Sequence, residues 1–212
     1  IAVNIRNLWQ GTQILVRDPV FMGLTFIGGF GFASFMVFIA SAAFVYSDQF
    51  NLSPTGFSLA FAINAIGFFA ASQAAGPLGA KYGILAVIRW AAFGFAGFSF
   101  ILLLAGLLGT VSLTGIVFGL FCANACLGLI LPTTMVMALE AHGDIAGLAS
   151  SLGGTLQMVT GGLVVVLTGL FFDGTAVSMI AAIVLCAICS LLLAIWTLHI
   201  MDRQTAGVDS SR

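Results

Sequence analysis

Few side chains in this sequence are suited to covalent or metal chemistry. The four cysteines form two pairs, Cys122 with Cys126 and Cys186 with Cys189, whose spacing could place each pair on one helix face. A metal or redox pair is one interpretation of this spacing. No histidine or acidic residue stands beside them to complete a zinc site, so we expect polarizable packing residues instead.

A catalytic site is not indicated elsewhere in the chain. Ser150 and Ser151 have no histidine in their own apolar segment to serve as a general base. His142 stands between Glu140 and Asp144, a grouping that fits a metal site, a pH sensor or an ordinary solvent-exposed turn. The sequence therefore predicts a protein that is not an enzyme and that holds no metal and no cofactor.

Uncharged polar and aromatic side chains are the stronger candidates for a binding site. Amides stand deep inside three apolar segments, whereas Asp, Glu, Lys and Arg are absent from mid-depth of every segment. Phenylalanines and a serine recur at helical spacing around them. These residues could form hydrogen bonds between helices, or line a central cavity for a small-molecule substrate. The candidate lining residues are Phe30, Ser34, Phe38, Phe61, Asn64, Phe68, Asn124 and Gln157.

Composition identifies the solvent in which these residues must be positioned. Of 212 residues, 61% are hydrophobic and 6% are charged, against roughly 45–50% and 25% in soluble domains. That charge content is too low to cover a water-exposed surface. The net charge of −1 provides no cationic face for nucleic acid. The lipid bilayer is therefore the expected partner for most of the surface.

Long charge-free runs give the expected architecture. A helix that crosses the hydrocarbon layer needs about 20 apolar residues, and the strict alternation of a membrane β-barrel is absent. We therefore predict an all-α polytopic membrane protein. Its six transmembrane helices fall at about 20–46, 55–76, 86–108, 113–138, 145–171 and 176–200. Residues 1–18 are expected to form a cytoplasmic linker or amphipathic lead-in, and residues 201–212 a cytoplasmic tail.

The distribution of charge predicts the orientation. With six spans, all six Lys and Arg residues fall at one end of the bundle. The positive-inside rule then places both termini in the cytoplasm, in a cell inner (plasma) membrane. Within the fourth span, Pro132 frees a backbone carbonyl, so it is expected to act as a hinge or a fixed bend.

One segment between the second and third spans resembles a known family. It reads Gly76-Pro77-Leu78-Gly79-Ala80-Lys81-Tyr82-Gly83. This is similar to the loop signature of major facilitator superfamily (MFS) transporters, with Gly76, Leu78, Lys81 and Gly83 at the matching positions. Ala80 stands where the signature has Asp. The resemblance implies a carboxyl-half copy, because the signature is usually degenerate there.

Two further stretches resemble one subfamily, the bicyclomycin-resistance-type (Bcr/CflA) drug:proton antiporters. They are Ser53-Pro54 through Asn64, and residues 142–155 with a G-x-A-S-S-L core. The resemblance implies a twelve-helix transporter of two six-helix halves that rock to alternate access. This chain would supply the carboxyl half. The missing amino-terminal half, or a second copy, would complete it, and the amino-terminal half would carry the proton-binding acids.

Two other functions stay open at this point. One is a metabolite or sugar permease of the same fold, which sequence pattern separates poorly from a drug exporter. The other is a self-contained six-helix scaffold, or a half-transporter that pairs with itself.

Overall fold

The computed structural model describes the backbone of residues 5–209 and the side chains of residues 8–203. The described residues form helices and short connections, without a strand. The helices are α1 (Ile5–Arg17), α2 (Pro19–Phe44, continued by a π-helical turn at Val45–Gln49), α3 (Pro54–Tyr82), α4 (Ile84–Leu107), α5 (Leu113–Glu140), α6 (Ala146–Phe171, preceded by a 3₁₀ turn at Gly143–Ile145) and α7 (Ala176–Asp209).

Helices α2 to α7 are long and apolar enough to cross a membrane, judged by length and composition. The prediction of an all-α polytopic membrane protein with six transmembrane helices is confirmed. Helix α1 is shorter and lies within the segment expected as a lead-in. It packs on the start of α6, where Gly11 faces the Leu148 side chain and Leu15 is fully buried.

Polar side chains cap the amino-terminal ends of several spanning helices. The Asp18 carboxylate accepts a hydrogen bond from the Val20 amide at 2.8 Å, just before α2. The hydroxyls of Ser53 and Ser112 accept from the third residue beyond them and cap α3 and α5. Each cap satisfies an amide that the first turn leaves without a helical partner.

Asp173 plays a similar part before α7. Its carboxylate accepts hydrogen bonds from the Thr175 hydroxyl at 2.6 Å and the Thr175 amide at 2.9 Å. These donors favour the charged form and lower the pKa of Asp173 to about 2.

The bundle has two central helices. Helix α2 packs against α5, α6 and α7, and α5 packs against α2, α3 and α4. Helices α4 and α7 pack on each other along one side of this central pair. Helices α3 and α6 lie at separate edges and expose the largest share of their surfaces. The two edge helices therefore flank the central pair, α3 beside α5 and α6 beside α2.

The segment predicted as a loop around the signature is mostly helical. Residues 76–82 form the last turns of α3, and Gly83 alone separates α3 from α4. Gly83 has a φ of +87°, which a residue with a Cβ adopts only with strain. Helix α3 is thus longer than the span predicted at 55–76, because Pro77 is accommodated inside the helix and the positive φ of Gly83 ends it.

The spanning helices α2 to α7 are joined by short connections and alternate in direction along the chain. This alternation places every described Lys and Arg side chain at one end, which we name the basic end: Arg17, Lys81, Arg89 and Arg203. Asp48, in the π-helical turn that continues α2, and Asp173, in the connection before α7, lie at the opposite end.

Candidate functional site

A row of six aromatic rings bridges α2 and α3, and we name it the aromatic ladder. Its members, from the end opposite the basic end inward, are Tyr46, Phe57, Phe61, Phe38, Phe35 and Phe68. Successive ring centroids lie between 5.1 and 6.5 Å apart. These separations are typical of attractive aromatic pairs.

The ladder crosses between the two helices at two stacked pairs. Phe38 of α2 stacks on Phe61 of α3 at 5.5 Å with 10° between the ring planes. Phe35 stacks on Phe68 at 5.1 Å and 18°. The backbones of α2 and α3 stay apart, so these rings supply the contact between the helices. Phe35, Phe61 and Phe68 keep part of their surfaces accessible.

The other side of α3 forms a seam with α5. The Nδ2 of Asn124 donates to the Oδ1 of Asn64 at 3.1 Å, and Asn64 Nδ2 donates to the Ala60 carbonyl at 3.0 Å. Asn64 is 1% exposed and Asn124 is 4% exposed. The sequence allowed these amides either to form hydrogen bonds between helices or to line a cavity. Asn64 and Asn124 do form a hydrogen bond between helices.

Glycines bring the α3 and α5 backbones into direct contact at this seam. A Cβ added to Gly128 of α5 would meet the Phe68 carbonyl oxygen and lie 3.1 Å from the Ser72 amide nitrogen. A Cβ added to Gly67 of α3 would lie 2.7 Å from the Phe121 ring. Close approach of this kind is how helices associate strongly in lipid.

Gln157 belongs to a second polar site, which we name the amide niche. A Cβ built on Gly28 of α2 would lie 2.7 Å from Gln157 Nε2 and 3.2 Å from Thr134 Oγ1. Gln157 of α6 and Thr134 of α5 therefore converge over the bare backbone at Gly28. Gln157 is half-buried, and the niche lies where the two central helices meet an edge helix.

Phe30 and Ser34 lie away from both polar sites. The backbone carbonyl of Ile27 accepts a hydrogen bond from the Ser190 hydroxyl of α7 at 3.2 Å. This contact identifies the side of α2 that faces α7. Phe30 and Ser34 follow Ile27 on that side at helical spacing. Ser34 is 2% exposed and Phe30 is half-buried. The structure does not bring this pair together with the amides.

Pro132 stands where the seam opens. It lacks the amide that would bond the Gly128 carbonyl, and the hydroxyls of Thr133 and Thr134 donate to the carbonyls of Leu129 and Ile130. Pro132 also borders a cavity of about 300 Å³ between α5 and the end of α3, lined in part by Ala75, Gly76, Gly79 and Ala80. The cavity leaves room beside the residue expected to act as a hinge or a fixed bend.

Residues of the signature lie at the surface of this end. Gly76, Lys81 and Gly83 are exposed and Leu78 is half-buried. The Lys81 ammonium lies 4.9 Å from the centroid of the neighbouring Tyr82 ring.

Two features are absent from the set of site residues predicted from the sequence. Phe35 lies between Phe38 and Phe68 in the ladder. Its position one helical turn from Phe38 is the sequence feature that could have identified it. His142 is enclosed rather than solvated: its Nε2 lies 3.1 Å from Asp18 Oδ2, and its ring meets Phe21 edge-on at 5.4 Å. Among the side chains of residues 8–203, no group of three His, Cys, Asp or Glu could hold a metal ion.

One curated protein is similar to most of this chain. The "Uncharacterized MFS-type transporter YdgK" of Bacillus subtilis (strain 168) is 30% identical over 165 residues, which cover 78% of this chain. The similarity supports membership of the major facilitator superfamily. The chain spans 40% of the length of that MFS-type transporter. No protein-family model matches this chain, and no solved structure matches it with significance.

Proposed function

We propose that this chain is the carboxyl-terminal half of an MFS transporter that exports drugs or other small, partly apolar compounds. The observation that carries the proposal is the similarity of this chain to an MFS-type transporter. The aligned residues cover 40% of that transporter, and this chain has six helices that could span a membrane. Six helices are half the number in a twelve-helix transporter, and the halves of such transporters alternate access by rocking around a site between them.

The side chains between the edge helices support the proposed substrate class. The aromatic ladder offers partly accessible rings, and the amide niche offers one adaptable hydrogen-bonding group. Rings and amides bind varied apolar compounds without requiring a matching charge. Phe38, Phe61, Phe68 and Gln157 are the proposed pathway residues, with Phe35 added. Asn64 and Asn124 are proposed to hold the α3–α5 seam.

Proton coupling is proposed to depend on the other half. The mid-depth parts of α2 to α7 carry no Asp, Glu, Lys or Arg, whereas a proton relay in lipid needs an ionisable group. The basic end is proposed to face the cytoplasm of an inner membrane, in keeping with the positive-inside rule.

The size of the native polypeptide is the first test. An epitope tag at the carboxyl terminus of the chromosomal copy gives the denatured mass in purified membranes. We expect about twice the 22.0 kDa of this chain, because a second half is required. A mass near 22 kDa would exclude the half-transporter and favour a self-pairing bundle or a scaffold.

Transport by the native polypeptide is the second test. In everted membrane vesicles, a pH gradient should drive uptake of fluorescent apolar compounds, and dissipating the gradient should abolish it. Gln157→Ala should change which compounds are moved, whereas Gln13→Ala, on α1 outside the spans, should not. Uptake of a sugar or organic acid, with no response to apolar compounds, would favour the permease instead.

A further inference from the structure

An apolar groove of about 340 Å³ runs between α4 and α7 and ends among polar side chains at the basic end. Phe93, Leu191 and Ile195 are among its apolar lining, and Arg89, His199 and Asp202 form its polar end. Its volume falls within the roughly 300–1,000 Å³ of small-ligand sites. A groove that is apolar for most of its length and charged at one end fits an amphiphile.

The length of the groove matches one leaflet of a bilayer. Its lining on α7 extends from Asp202 to Leu191. At 1.5 Å of rise per residue, this distance is about 16 Å, close to half of a hydrocarbon layer roughly 30 Å thick. Trp90 and Trp196 are 73% and 49% exposed near the polar end. Exposed tryptophans are typical of the headgroup level, so the groove runs from the headgroups to the bilayer centre.

Among the side chains of residues 8–203, a positive and a negative one lie next to each other at the polar end. Arg89 Nη2 lies 3.4 Å from Asp202 Oδ2, and the two side chains are 50% and 57% exposed. An exposed ion pair of this kind contributes little to stability. It does present a guanidinium and a carboxylate together, at the depth where a phospholipid has its phosphate and, in some classes, an amine.

We propose that this groove binds a phospholipid whose headgroup carries a primary amine, of the phosphatidylethanolamine class. Arg89 binds the phosphate, Asp202 accepts hydrogen bonds from the ammonium, and one acyl chain lies along Phe93, Leu191 and Ile195. An anionic lipid without an amine would bring its charge against Asp202, and a choline headgroup has no N–H to donate. This site lies on the α4–α7 side, apart from the proposed transport pathway, and does not depend on the transported substrate.

The test is a lipid titration of the full native polypeptide by native mass spectrometry. Phosphatidylethanolamine, phosphatidylcholine and phosphatidylglycerol with identical acyl chains are the probes. We expect the ethanolamine lipid to bind about threefold to fivefold more tightly than the other two, the upper range for one exposed ion pair. Equal binding of the ethanolamine and choline lipids, or tighter binding of the glycerol lipid, would overturn the proposal.

Charge variants locate the binding to this groove. Asp202→Asn should remove the preference for the ethanolamine lipid over the choline lipid, and Arg89→Gln should weaken binding of all three. Lys81→Gln removes a cation from the same end of the bundle but from another helix, so it should leave the preference intact. Thermal melting of each variant checks its folding. A preference retained in folded Asp202→Asn protein would contradict the site.

Discussion

Helix α3 meets its two neighbours in different ways. Against α5 it forms a seam in which backbone touches glycine and two buried amides share a hydrogen bond. Against α2 the backbones stay apart and stacked rings fill the space. Along α3, residues of the seam and residues of the ladder stand less than two turns apart. Both contacts are possible because a helix about 10 Å wide presents different faces to different neighbours.

The difference indicates which contact can change shape. Backbone against backbone has no side-chain rotamer with which to adjust, so α3 and α5 are expected to move as one unit. Stacked rings can slide or rotate at a small energetic change, since each pair contributes about 0.5–1.5 kcal/mol beyond its buried area. A ligand that separates α2 from α3 would therefore displace the ladder and leave the seam closed.

The sharpest test of the closed seam is Gly128→Ala. The new methyl would meet the Phe68 carbonyl, which cannot turn away, so α3 and α5 must separate. We expect a loss of about 3 kcal/mol or more of stability, the upper range for overpacking, seen as a lower melting temperature and aggregated protein in size exclusion.

Gly97→Ala is the matched control for that substitution. Gly97 lies in α4, and a Cβ there would meet no other atom within 4 Å beyond its chain neighbours and the backbone of its own helix. Its melting temperature should equal or exceed that of the parent protein. Unchanged stability in Gly128→Ala would mean that the seam is looser than the structure has it.

The ladder is tested by Phe61→Leu. Leucine keeps an apolar side chain beside Phe38 and removes the stacking, which should lower stability by about 1 kcal/mol. The set of transported compounds should change with it. Phe100→Leu, at a half-exposed position on α4, serves as the control for loss of a ring. The same transport profile in both variants would argue against a binding role for the ladder.

A double-mutant cycle measures the amide bond of the seam. Asn64→Leu and Asn124→Leu should each destabilise the bundle, because each leaves the other amide without its partner. We expect a coupling energy of about 0.6 kcal/mol, the average for polar pairs in membranes. The transport profile should persist in folded single variants. A coupling energy of zero would show that the two amides contribute independently.

The smallest effect on stability is expected for Gly28→Ala in the amide niche. The Gln157 amide is the flexible end of its side chain and can swing away from the new methyl, so stability should change by about 0.5 kcal/mol at most. Transport should nevertheless shift in the same direction as in Gln157→Ala. Gly162→Ala, at an open position on α6, is the control and should change neither stability nor transport.

Sequence by itself determined the class of the protein. Runs of about 20 uncharged apolar residues leave the helix as the structure that satisfies every backbone group in lipid, so the number of spans follows from composition. The clustering of Lys and Arg follows from the same count of spans. The ends of the helices were harder to predict: α3 extends past Pro77 to Tyr82, because apolarity does not mark where a helix leaves the hydrocarbon.

Only the tertiary structure decided which neighbour each polar or aromatic residue meets. Asn64 and Phe61 share a broad face of α3, yet one contacts α5 and the other α2. The pairing of Asp18 with His142, and of Arg89 with Asp202, joins residues far apart in sequence. Helical periodicity gives the direction of a side chain on its own helix. The helix that it faces depends on how close two backbones can come. Here Gly128 lets α5 approach the α3 backbone, and Gly28 and Gly67 leave room for side chains from neighbouring helices.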